Sequence, residues 1–250
     1  MNEAGEVTVA DTVRWLHEEG LIRLAGVGAR MSDPIAAYAV DVATGTVVVH
    51  PVAGVGLGSD VLTLAADDLP FPTGTSKRLV IVGVTTADAV LVVDLAASTD
   101  IAINADAPEE AARSWAMQLL MNPDITLTTN SADIAIGPNT RCGHRFLPGT
   151  DTVVINVDDR RPPITTVTLN ATTDGPDHLD VYPDGSGELY LGARFWELRR
   201  VMCIDDVAWS SLTETLLQPD SAGDSEPAQE HRLAPVPEPE FPVRLQEGGR

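Results

Sequence analysis

Apolar residues recur along this chain in two rhythms, and the switches between them mark most of its elements. Val9, Val13 and Leu16 fall at helical spacing behind Thr8-Val9-Ala10-Asp11, a capping-box pattern with Asp where Glu is usual. Gly20 reads as a stop, so the spacing predicts a helix over residues 9–19. Two β-branched runs follow, Ile35 to Val42 and Thr46 to Val52, and Ala43-Thr44-Gly45 between them reads as a hairpin loop. The glycine-rich stretch 53–60 and the segment 70–76 read as connections.

From residue 79 the pattern becomes one of short, nearly unbroken apolar runs. Leu79 to Val84, Val90 to Leu95 and Ile101 to Ala105 each predict a buried strand. Pro108 then opens a helix, where its missing N–H costs nothing, and Glu109 and Glu110 complement the dipole in the first turn. Ala111, Ala112, Trp115, Leu119 and Leu120 supply its apolar face, Asn122-Pro123 stops it, and Ile125 to Thr128 resumes a strand. A strand–helix–strand unit of this length brings two parallel strands side by side. Further strands are predicted at Val153 to Val157, Val167 to Asn170, Leu179 to Tyr182 and, after the turn Asp184-Gly185-Ser186-Gly187, Glu188 to Leu191. A last helix over 206–217 is capped by Asp205 or Asp206. The expected fold is therefore α/β: a small α+β N-terminal lobe over 1–75, then a mostly parallel, P-loop-like sheet over 76–217 that lacks a phosphate loop. Residues 218–250 carry six prolines and seven acidic residues with few large apolar groups, and are expected to form a disordered tail.

Composition narrows the function classes. Aromatics are only 4% of the 250 residues while 44% are hydrophobic, so the core must be built from Val, Ile, Leu and Ala. A net charge of −21 opposes direct binding to nucleic acid or to an anionic membrane surface and favours basic protein partners. Lys77 is the one lysine among 16 basic residues, an arginine bias that a GC-rich genome also produces. Two cysteines, Cys142 and Cys203, make no disulfide framework. No apolar run approaches the roughly 20 residues of a membrane span, and the acidic N-terminus lacks a signal-peptide pattern. A cytoplasmic protein without membrane insertion is expected.

The candidate chemistry is sparse. Asn104-Ala105-Asp106-Ala107-Pro108-Glu109-Glu110 lies where a phosphate loop would open a helix, yet it offers three carboxylates and no Gly, Lys or hydroxyl. Asp158 and Asp159, ending an apolar strand, resemble the acidic strand end that holds Mg²⁺ in nucleotide hydrolases. Thr73-Gly74-Thr75-Ser76-Lys77-Arg78 has a phosphate loop's composition but not its spacing, and a strand rather than a helix follows, so it reads as a linker. Cys142-Gly143-His144 supplies two of the four ligands a structural zinc site needs; His17, His50, His178 and His231 are isolated. No metal or cofactor is implied.

Residues 89–127, with Val93-Asp94-Leu95, Asp106-Ala107-Pro108-Glu109 and Asn122-Pro123, resemble the central, degenerate ATPase-like region of large actinobacterial membrane proteins that also carry a LysM domain and a bacterial transcriptional activator domain. The stretch from Asp184 to Leu217 resembles the end of that region. The resemblance implies a nucleotide-hydrolase layout without its phosphate loop, and brings no catalytic residues. The expectation is a non-catalytic interaction or scaffold protein in a regulatory or secretion-linked assembly. The alternatives are an atypical Mg-dependent nucleotide hydrolase using Asp158 and Asp159, and a structural component of a phage or mobile element.

Overall fold

The computed structural model of the chain describes residues 7–52, 61–137, 140–146, 151–171 and 175–217. The glycine-rich stretch 53–60 and the acidic, proline-rich segment 218–250 lie outside the described residues. The N-terminal helix begins as its capping box dictates: Thr8 Oγ1 accepts from Asp11 N at 3.2 Å and Asp11 Oδ2 accepts from Thr8 N at 3.1 Å. It does not stop at Gly20. The helix α1 (Val9–Trp15) passes through a π-helical turn (Leu16–Gly20) into α2 (Leu21–Gly28). Gly20 is a packing residue, because a Cβ there would lie 2.9 Å from the Trp15 ring.

The strands fall into two groups along the chain. The first comprises β1 (Ile35–Asp41), β2 (Val47–Pro51), β3 (Leu62–Leu64), β4 (Leu79–Thr85) and β5 (Ala89–Asp94). The second follows with β6 (Asp100–Asn104), helix α3 (Pro108–Leu120), β7 (Thr126–Thr129), β8 (Cys142–His144), β9 (Val153–Asp158), β10 (Thr165–Leu169), β11 (Asp177–Val181) and β12 (Gly187–Leu191). A last strand, β13 (Arg194–Val201), precedes helix α4 (Asp206–Leu217). All thirteen join one sheet in the order β3-β2-β1-β5-β4-β13-β12-β11-β6-β10-β9-β7-β8. Among the described strands the backbone pairing between the two groups therefore runs through β13, which pairs with β4 on one side and β12 on the other.

The mostly parallel α/β sheet expected from the sequence does not form. Among the described strands, only β6 with β10, β6 with β11 and β7 with β8 pair in parallel; the other neighbours are antiparallel. Two physical reasons account for the difference. First, β4 and β5 are apolar throughout because both faces are covered, not because they lie in a parallel sheet. Val80, Val82, Leu91 and Val93 pack on the face that carries α3, while Leu79, Ile81, Val90 and Val92 pack on the opposite face with α1 and α2. Second, β6 and β7 run the same way but are not neighbours, since α3 carries the chain past β10 and β9. Strand β13, whose Arg194, Glu197, Arg199 and Arg200 mask its alternation, had no apolar run to announce it.

Helix α3 is the centre of the larger core. Trp115, Ala111, Ala112 and Leu119 share one buried cluster with Val80 and Val82 of the first group and with Ile101, Ile103, Val167, Leu179 and Leu189 of the second, each fully buried large side chain contributing about 1.5–3 kcal/mol. Gln118 on α3 bonds both backbone groups of Ile81, accepting from its N at 2.7 Å and donating to its O at 3.0 Å, where β4 departs from regular register. The sheet curls strongly. Arg194 Nε on β13 donates to Pro51 O on β2 at 2.9 Å, and the His50 ring meets Trp196 edge-on at 5.2 Å. Asp205 Oδ1 accepts from Ala208 N at 2.8 Å and caps α4. Among the described residues no helix is long and apolar enough to cross a membrane.

Candidate functional site

Two features of the sequence that lie far apart, the Thr73–Arg78 stretch and the acidic end of β9, come together in one place. Arg78 is buried and reaches Asp159 Oδ1 with Nη2 at 2.7 Å. Its guanidinium also donates to Arg161 O at 2.7 Å, Pro163 O at 2.7 Å and Thr165 Oγ1 at 3.0 Å. Burial works against the Asp159 charge, but the hydrogen bond and the charge of Arg78 prevail and hold its carboxyl below the usual range. Asp159 is thus the counter-ion of a buried arginine. Asp158 Oδ1 accepts from Arg160 N at 2.7 Å and shapes the same turn.

Above this pair lies a cleft of about 460 Å³, walled by the end of α2, the 70–77 segment, Asn122, Asp124 and the turn after β9. Arg30, Lys77 and Arg161 line it, and none of the three has a carboxylate partner among the described ion pairs. Lys77 sits in a left-handed conformation at φ 53°, its carbonyl accepting from Asn122 Nδ2 at 3.0 Å and its Nζ 3.4 Å from Ala25 O. Asn122 is fixed in turn by Arg141, whose Nη1 donates to Asn122 O at 2.6 Å.

The other sequence candidates are placed elsewhere. The junction 104–110 borders a separate crevice of about 410 Å³ beyond the ends of β6 and β11, where Asp106, Glu110 and Asp184 face Arg200. Cys142 is buried on β8, its Sγ 3.5 Å from Ile134 O, and burial pushes the thiol up to about 11. His144 is exposed, with Nε2 3.2 Å from Asn130 O. Among the described residues no group of three or more His, Cys, Asp or Glu side chains is placed to hold a metal ion.

A second surface was not anticipated as a site. On β11, β12 and β13 the side chains alternate: Leu179, Val181, Leu189, Leu191, Trp196 and Leu198 pack on the core side, and His178, Asp180, Glu188, Tyr190, Phe195 and Glu197 turn to the other face. His178 stacks on Tyr190 with ring centroids 4.5 Å apart, and Tyr190 meets Phe195 at 4.9 Å. These three are direct cross-strand partners. One step along, Asp180, Glu188 and Glu197 form a parallel row of carboxylates, again direct partners. Tyr190 Oη donates to Glu188 Oε2 at 2.8 Å, a bond that pushes the phenol up to about 12. The alternation in Glu188-Leu189-Tyr190-Leu191 was the signal for this surface; the pairing that aligns its rows had none in the sequence. No protein-family model, curated protein or solved structure matches this chain.

Proposed function

We propose that the protein is a non-catalytic interaction module that binds a basic protein segment on the open face of β11, β12 and β13. The observation that carries this reading is the pair of cross-strand rows. Like charges set directly opposite one another weaken a strand pair. Asp180, Glu188 and Glu197 nevertheless stand in line; Asp180 accepts from Asn104 Nδ2 at 2.9 Å and Glu188 from Tyr190 Oη, but no cation other than His178 faces the row among the described ion pairs, and a cationic partner would relieve the remaining repulsion. The adjacent rings of His178, Tyr190 and Phe195 offer flat faces on which Arg or Lys side chains stack. Phe195 is 46% exposed, so the row is reachable. The chain's net charge of −21 steers a basic partner toward it. A cytoplasmic adaptor in a regulatory or secretion-linked assembly, the setting suggested by the resemblance of residues 89–127, accords with this surface.

The test is retention of a basic protein from a lysate of the source organism by the immobilised chain at low salt, with release as ionic strength rises. Replacing Tyr190 and Phe195 together by Ala is expected to weaken retention by at least about tenfold, the scale of aromatic anchors at interfaces. The thermal midpoint should stay close to that of the unchanged protein. Equal retention by this variant overturns the assignment.

A further inference from the structure

We infer that the cationic cleft between the end of α2 and the turn after β9 binds a small phosphorylated molecule, and does so without a metal ion. The chain has 16 basic residues against 37 acidic ones, so its overall field repels anions. Three of its cations, Arg30, Lys77 and Arg161, nonetheless converge on one cleft without carboxylate partners among the described ion pairs. Of the two carboxylates on its walls, Asp159 is bonded to Arg78 and also feels the charge of Arg161, while Lys77 acts on the buried Asp94 nearby; with Arg78 counted, the cations around the cleft still outnumber Asp94, Asp124 and Asp159. The excess of positive charge calls for a ligand with two or more negative charges, which a phosphomonoester or a pyrophosphate carries and a monocarboxylate does not.

Geometry supports the same ligand class. Arg161 is held at both ends of its peptide unit: its N donates to Asp159 Oδ1 at 3.1 Å and its O accepts from Arg78 Nη2 at 2.7 Å. The buried ion pair is therefore a positioning device for Arg161, whose planar fork suits phosphate oxygens. Lys77 is fixed from the opposite wall by Asn122, and its Nζ offsets the carbonyl end of α2 at Ala25. Thr73 and Thr75 add neutral donors to the lining. A volume of about 460 Å³ accommodates a ligand of modest size. Guanidinium and ammonium groups occupy the place that Mg²⁺ takes beside phosphates elsewhere, so no metal is required.

Calorimetric titration of the intact chain with inorganic pyrophosphate in the presence of EDTA tests this. Binding is expected, weakening as salt rises. Arg161→Gln and Lys77→Gln are each expected to weaken it at least tenfold. Arg199→Gln, which removes a cation from β13 well away from the cleft lining, is expected to leave it unchanged, as is the Tyr190 and Phe195 double replacement. The exposed Arg30→Gln gives a second reading of the cleft should Lys77→Gln lower the thermal midpoint. Absence of binding at millimolar pyrophosphate overturns the inference. So does equal binding by both Arg161→Gln and Arg30→Gln, or binding that appears only with added Mg²⁺.

Discussion

Arg78 illustrates how one side chain can decide what its neighbours are able to do. Its side chain is 3% exposed and that of Asp159 14%, so each charge depends on the other for solvation. Removing one partner of such a pair strands the other. Arg78→Met is therefore expected to cost about 3–5 kcal/mol, read as a lowered urea midpoint. The same pair makes stability depend on pH in a defined direction. The folded carboxyl of Asp159 lies below its ordinary value near 3.9, so its contribution is fully present above about pH 4 and is lost as pH falls through the folded value. Arg78 and Asp159 lie 81 positions apart, and nothing in either local pattern announces the contact. The sequence shows two fragments, a loop with phosphate-loop composition and an acidic strand end. Their joining into one cleft is a property of the fold alone.

At the scale of elements, most of the chain was legible where a local rule acts alone. The capping box at Thr8, the hairpin around Ala43-Thr44-Gly45, the proline that opens α3 and the Asp205 cap of α4 each depend on a few adjacent residues. The direction of the sheet was not legible, because an apolar run reports burial on both faces and says nothing about which way a neighbour runs. Strand β13 was hidden for the converse reason: Glu197, Arg199 and Arg200 are exposed, Arg194 is half-buried, and Leu198 and Val201 alone are buried in it. The β4–β13 contact also leaves no room for a side chain at Gly83. A Cβ on Gly83 would lie 2.2 Å from Arg200 O, so Gly83→Ala must push the strands apart. A loss of at least about 1–3 kcal/mol is expected in chemical denaturation. Gly143→Ala on β8, with nothing within 4 Å of the added Cβ, should stay within about 0.5 kcal/mol.

Across the whole molecule, the sheet is two sequence-local groups of strands locked by one late arrival. Helix α3 reinforces the lock from one face through Gln118 and Ile81, but β13 supplies the backbone pairing between β4 and β12. A chain ending at Gly192 keeps β1 to β12 and leaves β4 and β12 each unpaired on one side. Unpaired, apolar edges of this kind recruit other chains. Such a truncation is expected to run as aggregate in gel filtration, and a monodisperse monomer would contradict the arrangement. The order of strands also has a consequence in time. A ribosome adding about 5–20 residues per second needs on the order of ten seconds to travel from Thr85 to Arg194. Throughout that interval β4 has emerged without its partner, and on a crowded messenger RNA the β13 of an adjacent, more advanced nascent chain is a chemically identical substitute. Slower translation between these two strands therefore lengthens the window in which two copies can exchange β13.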